Sequence, residues 1–182
     1  MTDLAAEIAS MREEIDQLKS RNAIQQQLVR YGRGQEWLDE TLLQEVFWDD
    51  ADVDFGFFEG KFKDYLPVLM EIERGPETTF HLLSAAQIEL DGDTAYVEAY
   101  GIAGGRGTDK TNIFGGRYIT RFERRNGPTG KEWRIASVTY VLDWNMDQDV
   151  PDVIGGPHPE LKMVKPRSPE HPWFRRMGYD VT

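Results

Sequence analysis

The first hydrophobic pattern in the chain has the spacing of a helix. Its apolar residues are separated by alternating steps of four and three positions: Leu4, Ile8, Met11, Ile15 and Leu18. Such spacing among good helix formers predicts an amphipathic helix that packs on its own domain or on a second subunit. A second helix is predicted to reach Tyr31 and to end in the glycine-containing stretch 32–34, and a short third helix covers 38–46.

From Ala51 onward the period changes to two. Val53, Phe55 and Phe57 alternate with polar or small residues, which predicts a strand. A helix is predicted over 62–74, with Pro67 either outside the helix interior or at the start of a shorter helix.

Longer alternating patterns follow to the end of the hydrophobic region. They predict strands over 78–90, 94–103, 112–125 and 133–144. Asp91-Gly92-Asp93 is a hairpin turn signal, and the glycine-rich stretch 104–107 is predicted to be a mobile loop. Helices followed by a meander of long strands indicate an α+β fold with an antiparallel sheet.

The composition changes near the end of the chain. Six prolines fall after Met146, so we interpret 1–146 as the folded domain and 147–182 as a proline-rich tail. Trp173, Phe174 and Tyr179 give this tail apolar side chains, and we expect it to pack on the domain or on a neighbouring subunit.

Length and charge narrow the class of function. The 182 residues, 40% of them hydrophobic, suit one domain, and a net charge of -11 argues against nucleic-acid or anionic-membrane partners. A small neutral or apolar ligand fits this balance better. The absence of Cys excludes disulfides, thiolate nucleophiles and zinc-thiolate sites, and the three His are not paired, so no metal is expected. The first thirty residues lack a signal-peptide pattern, which leads us to expect a cytoplasmic protein.

Several short segments, in this order and spacing, resemble the SnoaL-like enzymes of the nuclear-transport-factor-2-like superfamily. They are Tyr31-Gly32-Arg33-Gly34, Phe47-Trp48-Asp49-Asp50-Ala51, Phe80-His81-Leu82, Gly115-Gly116-Arg117-Tyr118 and Glu132-Trp133-Arg134-Ile135. The resemblance spans about 15–145 and implies a cone-shaped, curved sheet wrapped by N-terminal helices. Similar enzymes include scytalone dehydratase, hexachlorocyclohexane dehydrochlorinase, bile-acid dehydratase and the diarylpropane lyases.

The resemblance also implies the chemistry and its residues. These enzymes carry out cofactor-free eliminations in a deep pocket, using a His and a carboxylate, which fall on His81 and Glu36. A polar residue of the same set falls on Tyr31.

The chain departs from the pattern of these enzymes at three points. Its acidic residue is Glu rather than Asp, Val138 replaces the basic residue of the dehydrochlorinase, and Phe55 stands where dehydratases tend to carry Tyr.

Glu98 is a further candidate acid or base, chosen from the residues themselves. It shares one strand face with Tyr96 and Tyr100, and this face is expected either to line the pocket or to point to solvent. In a partly apolar pocket, desolvation would raise the pKa of a carboxyl group and suit it to proton transfer. The aromatic residues expected to contact a ligand are Trp48, Phe55, Phe57, Tyr96, Tyr100, Tyr118 and Tyr140.

Together these features predict a cofactor-independent lyase that acts on a small aromatic substrate. His81 or Glu98 would protonate a leaving hydroxyl, Glu36 would orient His81, and Tyr31 would bind a substrate oxygen. A lignin-derived diarylpropane, with loss of formaldehyde, is one such substrate. The alternatives are a non-catalytic ligand-binding or assembly module and a ketosteroid-isomerase-like proton shuttle. Both a homodimer and a homotrimer agree with the apolar faces predicted.

Overall fold

A curved sheet and three helices make up the protein. The computed structural model describes residues 4–150, 160, 164 and 168–172. The helices are α1 (Leu4–Trp37), α2 (Glu40–Val46) and α3 (Phe62–Arg74). The strands are β1 (Phe47–Asp54), β2 (Glu59–Lys61), β3 (Thr78–Leu83), β4 (Gln87–Asp91), β5 (Thr94–Arg106), β6 (Lys110–Gly127) and β7 (Gly130–Asp149).

The seven strands form one mixed sheet in the order β2-β1-β7-β6-β5-β3, with β4 paired to β5 beside β3. The predicted α+β class with a curved sheet is confirmed. One pair differs from the predicted antiparallel arrangement, because β1 runs parallel to β7. Alternation of polar and apolar residues indicates which face of the sheet a side chain occupies but not the direction of the neighbouring strand. The parallel pairing of β1 with β7 could therefore not be predicted from the sequence.

The predicted helix end within 32–34 is wrong, since α1 continues through both glycines to Trp37. These glycines permit close packing. A Cβ at position 32 would lie 3.0 Å from the carbonyl oxygen of His81, and one at position 34 would lie 2.7 Å from the side chain of Leu43. Gly32 therefore lets β3 approach the helix, and Glu36 lies on the last turn of α1 rather than after its end.

Two further predictions need correction in the sheet. The stretch predicted as one strand over 78–90 is interrupted between β3 and β4. The predicted mobile loop is also largely strand, because Gly104, Gly105 and Arg106 pair with β3 on one side and with β6 on the other. By contrast, the hairpin at Gly92 is confirmed, with a φ of 59° at that residue.

The tail prediction lies almost wholly outside the described residues, as do Trp173, Phe174 and Tyr179. β7 continues to Asp149, beyond the predicted domain end at 146. Within the described part of the tail, the ring of His171 packs edge-on against Trp37, with 5.2 Å between ring centroids.

Pro67 lies inside α3, where the sequence predicted that it would not, and its side chain is exposed. Proline in a helix interior removes one backbone hydrogen bond and clashes with the preceding turn. We therefore expect Pro67→Ala to raise the free energy of unfolding by about 1–2 kcal/mol. The gain in helix propensity is larger than this, but it is partly offset because the unfolded chain becomes more flexible without the proline. Urea denaturation measures this, with Val68→Ala as the exposed neighbouring control; a loss of stability would contradict the expectation.

Candidate active site

The concave side of the sheet encloses a cavity of about 660 Å³ with α3 and the end of α1. This volume is within the range of small-molecule sites. Its apolar lining consists mainly of Phe55, Phe57, Tyr65, Leu69, Ile72, Phe114, Tyr118, Tyr140 and Leu142. Phe57 and Leu142 are at least half exposed and mark the mouth, whereas Tyr65 and Tyr118 are buried at the inner end.

A carboxylate and an imidazole face each other in this cavity. Nε2 of His81 lies 3.3 Å from Oε1 of Glu73, and the two side chains are 8% and 6% exposed. Both residues line the cavity. Because an isolated charge at such burial is very costly, each of these two groups is a suitable partner for the other.

The pleat of β3 places His81 on the inner face. Thr79 is buried, whereas Phe80 and Leu82 are 38% and 66% exposed on the outer face. The predicted partner Glu36 does not reach the imidazole. Instead, its Oε1 accepts a hydrogen bond of 2.6 Å from the backbone N–H of His81. Glu36 thus holds the main chain of β3 against α1, and Glu73 is the carboxylate that lies beside the ring.

Glu73 is the residue that the sequence analysis missed. A signal for it exists in α3, whose buried face includes Phe62, Leu66, Leu69 and, one turn further, Glu73. A charged residue at an apolar position of an amphipathic helix is unusual unless it has a partner or a function. The sequence alone did not show that this helix face lies opposite His81.

Glu98 lies outside the cavity, together with Tyr96 and Tyr100. Of the two pleat assignments left open, the structure has the one in which Ala95, Val97 and Ala99 point inward and are buried. Glu98 forms an ion pair with Arg117 on the outer face, which removes it from the candidate acids and bases of the cavity.

Room inside the sheet explains this choice of pleat. Ala99 is the register partner of Tyr118, and a Cβ at Gly101 would lie 2.5 Å from the ring of Tyr118. The small inward residues of β5 therefore accommodate this large ring, whereas larger inward residues would fill the space it occupies. Tyr100 accepts a hydrogen bond of 2.7 Å from Trp144 Nε1 on the outer side.

The remaining predicted contact residues divide into two groups. Phe55, Phe57, Tyr118 and Tyr140 line the cavity. Trp48 lies elsewhere in the fold. Its indole donates to the carbonyl of Glu123 at 3.0 Å, and the guanidinium groups of Arg125 and Arg134 lie over its ring. Its predicted ligand contact is therefore wrong.

Tyr31 lies behind the cavity lining rather than in it. Its ring packs edge-on against Tyr118, with 5.9 Å between centroids, and its side chain is 1% exposed. The structure therefore places the predicted substrate-binding hydroxyl in the second layer, one aromatic ring away from a ligand in the cavity.

Several polar atoms of the cavity lining have no hydrogen-bond partner among the described residues. They are Glu73 Oε2, Thr79 Oγ1, His81 Nδ1 and Tyr140 OH. Buried polar groups are rarely left unpaired in folded proteins, since each costs free energy until a water or ligand satisfies it. The unpaired atoms supply both donors and acceptors within one apolar enclosure, which is the composition of a ligand site.

Burial raises the pKa of the deeply buried tyrosines Tyr31, Tyr65 and Tyr118, and neighbouring tyrosine and glutamate groups raise it further. Below pH 10 these phenols are protonated in both the folded and the unfolded chain, so they do not make the free energy of unfolding change with pH. Above pH 10 the unfolded chain releases protons that the folded chain keeps, and stability falls by about 1.4 kcal/mol per pH unit for each tyrosine.

We expect the free energy of unfolding to decline steeply between pH 10 and 11.5 for this reason. Urea denaturation at half-unit pH steps measures the slope. Tyr31→Phe removes a hydroxyl that has no partner among the described residues, so it should reduce the slope by about 1.4 kcal/mol per pH unit. Tyr96→Phe, at a 56% exposed position, should leave the slope unchanged. Equal slopes in the Tyr31 variant and the wild type would contradict the expectation.

The fold and the site define a cone-shaped α+β protein with a buried imidazole–carboxylate pair in an aromatic cavity. The sequence profile of the SnoaL-like domain matches residues 16–139, and the chain belongs to this family. No curated protein matches the sequence at a significant level.

Solved structures of the same fold agree with this assignment. The hexachlorocyclohexane dehydrochlorinase LinA-type3 from Novosphingobium barchaimii is 19% identical, with a TM-score of 0.66 over 80% of this chain and 97% of that chain. A candidate scytalone dehydratase from Novosphingobium aromaticivorans is 21% identical, with a TM-score of 0.64 over 74% and 91%. An NTF2-like protein with a cystatin-like fold from the same species is 23% identical, with a TM-score of 0.61 over 79% and 92%.

Among the described helices, none combines the length and the apolar composition that a membrane span requires.

Proposed function

We propose that the protein is a cofactor-independent lyase that eliminates water from a neutral aromatic substrate. The observation that carries this proposal is the pair formed by His81 and Glu73, 3.3 Å apart in a mainly apolar cavity. Imidazole takes up and releases protons near neutral pH, and an adjacent carboxylate stabilises its protonated form. The dehydratase and dehydrochlorinase neighbours of the fold support the reaction class.

The lining of the cavity favours an uncharged substrate. Neither Lys nor Arg is among the described residues that line it, so a substrate carboxylate or phosphate would enter without a counterion. Glu73, the only carboxylate among the described lining residues, would repel such a group. The aromatic walls formed by Phe55, Tyr118 and Tyr140 suit a flat ring, which packs against them edge-on or stacked.

The proposed reaction balances with one proton cycling through the imidazole. His81 in its neutral form accepts a proton from the carbon next to the carbon that bears the hydroxyl. The electrons of that C–H bond form the double bond, and the C–O bond breaks. The imidazolium, stabilised by Glu73, returns the proton to the leaving hydroxyl, which departs as water. Tyr140 OH and Thr79 Oγ1 have no partner among the described residues and would donate to a substrate oxygen.

A phenolic diarylpropane is the finer proposal for the substrate. Removal of the phenol proton expels the benzylic hydroxyl as water and forms a quinone methide. Loss of the terminal hydroxymethyl group as formaldehyde then breaks a C–C bond, and its electrons form an alkene while the phenol is restored. Two aromatic rings in one ligand match a cavity of 660 Å³ with aromatic residues at its mouth and at its inner end.

Incubation of the protein with phenolic diols tests the proposal, with mass spectrometry to detect loss of water or formaldehyde. We expect conversion of the neutral diols and at least tenfold slower conversion of analogues that carry a carboxylate. Binding without conversion across the panel would favour the alternative, a ligand-binding module. Faster conversion of the carboxylate analogues would contradict the neutral-substrate assignment.

A further inference from the structure

The N-terminal half of α1 presents an exposed apolar face. Residues 4–19 are all exposed. The face, which we call the N-terminal seam, consists of Leu4, Ile8, Met11, Ile15 and Leu18, whose exposed fractions are 67%, 42%, 56%, 49% and 67%. A row of five large apolar side chains in water is unusual for a monomer and typical of an interaction surface.

The helix is attached to its own domain by the opposite side. Asp16 accepts hydrogen bonds of 2.8 and 2.9 Å from Arg124, and Ser20 is buried against the domain. Successive residues of a helix are rotated by about 100°, so Asp16 and Ser20 each lie about 160° from Leu18 around the axis. A second helix can therefore reach the N-terminal seam without displacing the domain.

The apolar positions repeat with the period of a coiled coil. In heptad notation Ile8 and Ile15 occupy the a positions, and Leu4, Met11 and Leu18 occupy the d positions. β-Branched residues at a combined with unbranched or γ-branched residues at d favour two parallel strands over larger assemblies. The choice of side chains in the N-terminal seam thus indicates the number of helices and their relative direction.

The charges beside the seam independently indicate the same arrangement. Glu7 and Glu14 occupy g positions, and Arg12 and Lys19 occupy e positions. In a parallel pair in register, each g residue faces the e residue five positions later in the other chain, so Glu7 meets Arg12 of the second copy and Glu14 meets its Lys19. An antiparallel pair would instead place glutamates beside glutamates and cations beside cations.

We propose that residues 4–19 of α1 pair with the same residues of a second copy of this chain as a parallel, in-register, two-stranded coiled coil. The main obstacle for so short a coiled coil is forming an isolated helix. Here the folded domain removes this obstacle, because α1 continues as one helix to Trp37 and buries one of its faces in the domain from Ser20 onward. The parallel arrangement places the two domains at the same end of the coiled coil.

Cysteine cross-linking tests the proposal cleanly, because the chain contains no Cys. Leu18→Cys should form a disulfide-linked dimer under mild oxidation, since d positions of a parallel pair face each other. Gln17→Cys, also exposed but outside the seam, should not. In an antiparallel pair centred on Met11 the two thiols at position 18 would be about 21 Å apart, so no dimer would form. Sedimentation at equal loading gives the mass, which we expect to be twice 21.0 kDa.

Charge exchange in the Leu18→Cys background separates this interface from any other. Glu7→Lys with Glu14→Lys should reduce the cross-linked fraction at least tenfold, as should Arg12→Glu with Lys19→Glu. Mixing the two variants should restore cross-linking as a mixed dimer. Absence of the disulfide overturns the proposal. Slow alkylation of the thiol would then show that another surface covers position 18, and fast alkylation would show that the seam is open to solvent. A sedimentation mass of three chains with no effect of the charge exchange would also overturn it.

Discussion

Replacing His81 by Gln or Glu73 by Gln should each lower kcat for elimination by about 10²–10⁴-fold, the range that positioned acid–base groups contribute. Gln keeps approximately the size of either side chain but cannot take up the proton. Since the carboxylate stabilises the imidazolium, its loss should reduce kcat much more than it raises KM. The proposal predicts that the double variant is little worse than either single variant, because the two groups act as one unit.

The chain offers a matched control for this experiment. Glu98→Gln makes the same chemical change on the outer face, where Glu98 pairs with Arg117, and should alter kcat less than twofold. Glu36→Gln tests a different role, because Glu36 holds the backbone N–H of His81 and not its ring. Full activity in both the His81 and Glu73 variants would contradict the assignment of the pair as the proton-transfer groups.

The second large effect concerns stability. Phe47 is fully buried at the start of β1, its ring stacks on Phe62 at 4.1 Å and 3°, and Tyr31 packs edge-on against it at 5.2 Å. Phe47→Ala would remove the ring that joins α1, β1 and α3. We expect the free energy of unfolding to fall by about 3–5 kcal/mol, from the lost burial and the cavity that remains.

Chemical denaturation of this variant should show the loss, which is a large share of the stability of an ordinary domain. Phe80→Ala is the control, since Phe80 is 38% exposed on the outer face of β3 and should cost much less. Equal losses at positions 47 and 80 would contradict the layout of the core described here.

The sequence predicted those features that depend on local pattern. Periods of two and of 3.6 residues identified the long strands and α3, because each element must place its apolar residues on one face. The hairpin at Gly92 followed from its turn residues. His81 was selected as a site residue by resemblance, and the structure places it in the cavity.

The tertiary structure decided what the local pattern leaves open. Gly32 and Gly34 are typical of a helix end, yet they lie inside α1 because β3 and α2 pack against them. Likewise, the alternation in β5 allowed two pleats, and the bulk of Tyr118 on the next strand selects the one that turns Glu98 outward. In both cases a neighbour that is distant in sequence overrides a weak local preference.

The identity of the acidic partner of His81 was likewise decided by the tertiary structure and not by the sequence. Periodicity and composition along the chain predicted helices, long strands and a surplus of aromatic residues, and the family resemblance implied the curved sheet, its pocket and His81. Which carboxylate meets the imidazole depends on where two elements come together. Glu36 and Glu73 both approach His81, but from α1 and α3 respectively, and only the packing of these helices on β3 sets one against the backbone and the other against the ring.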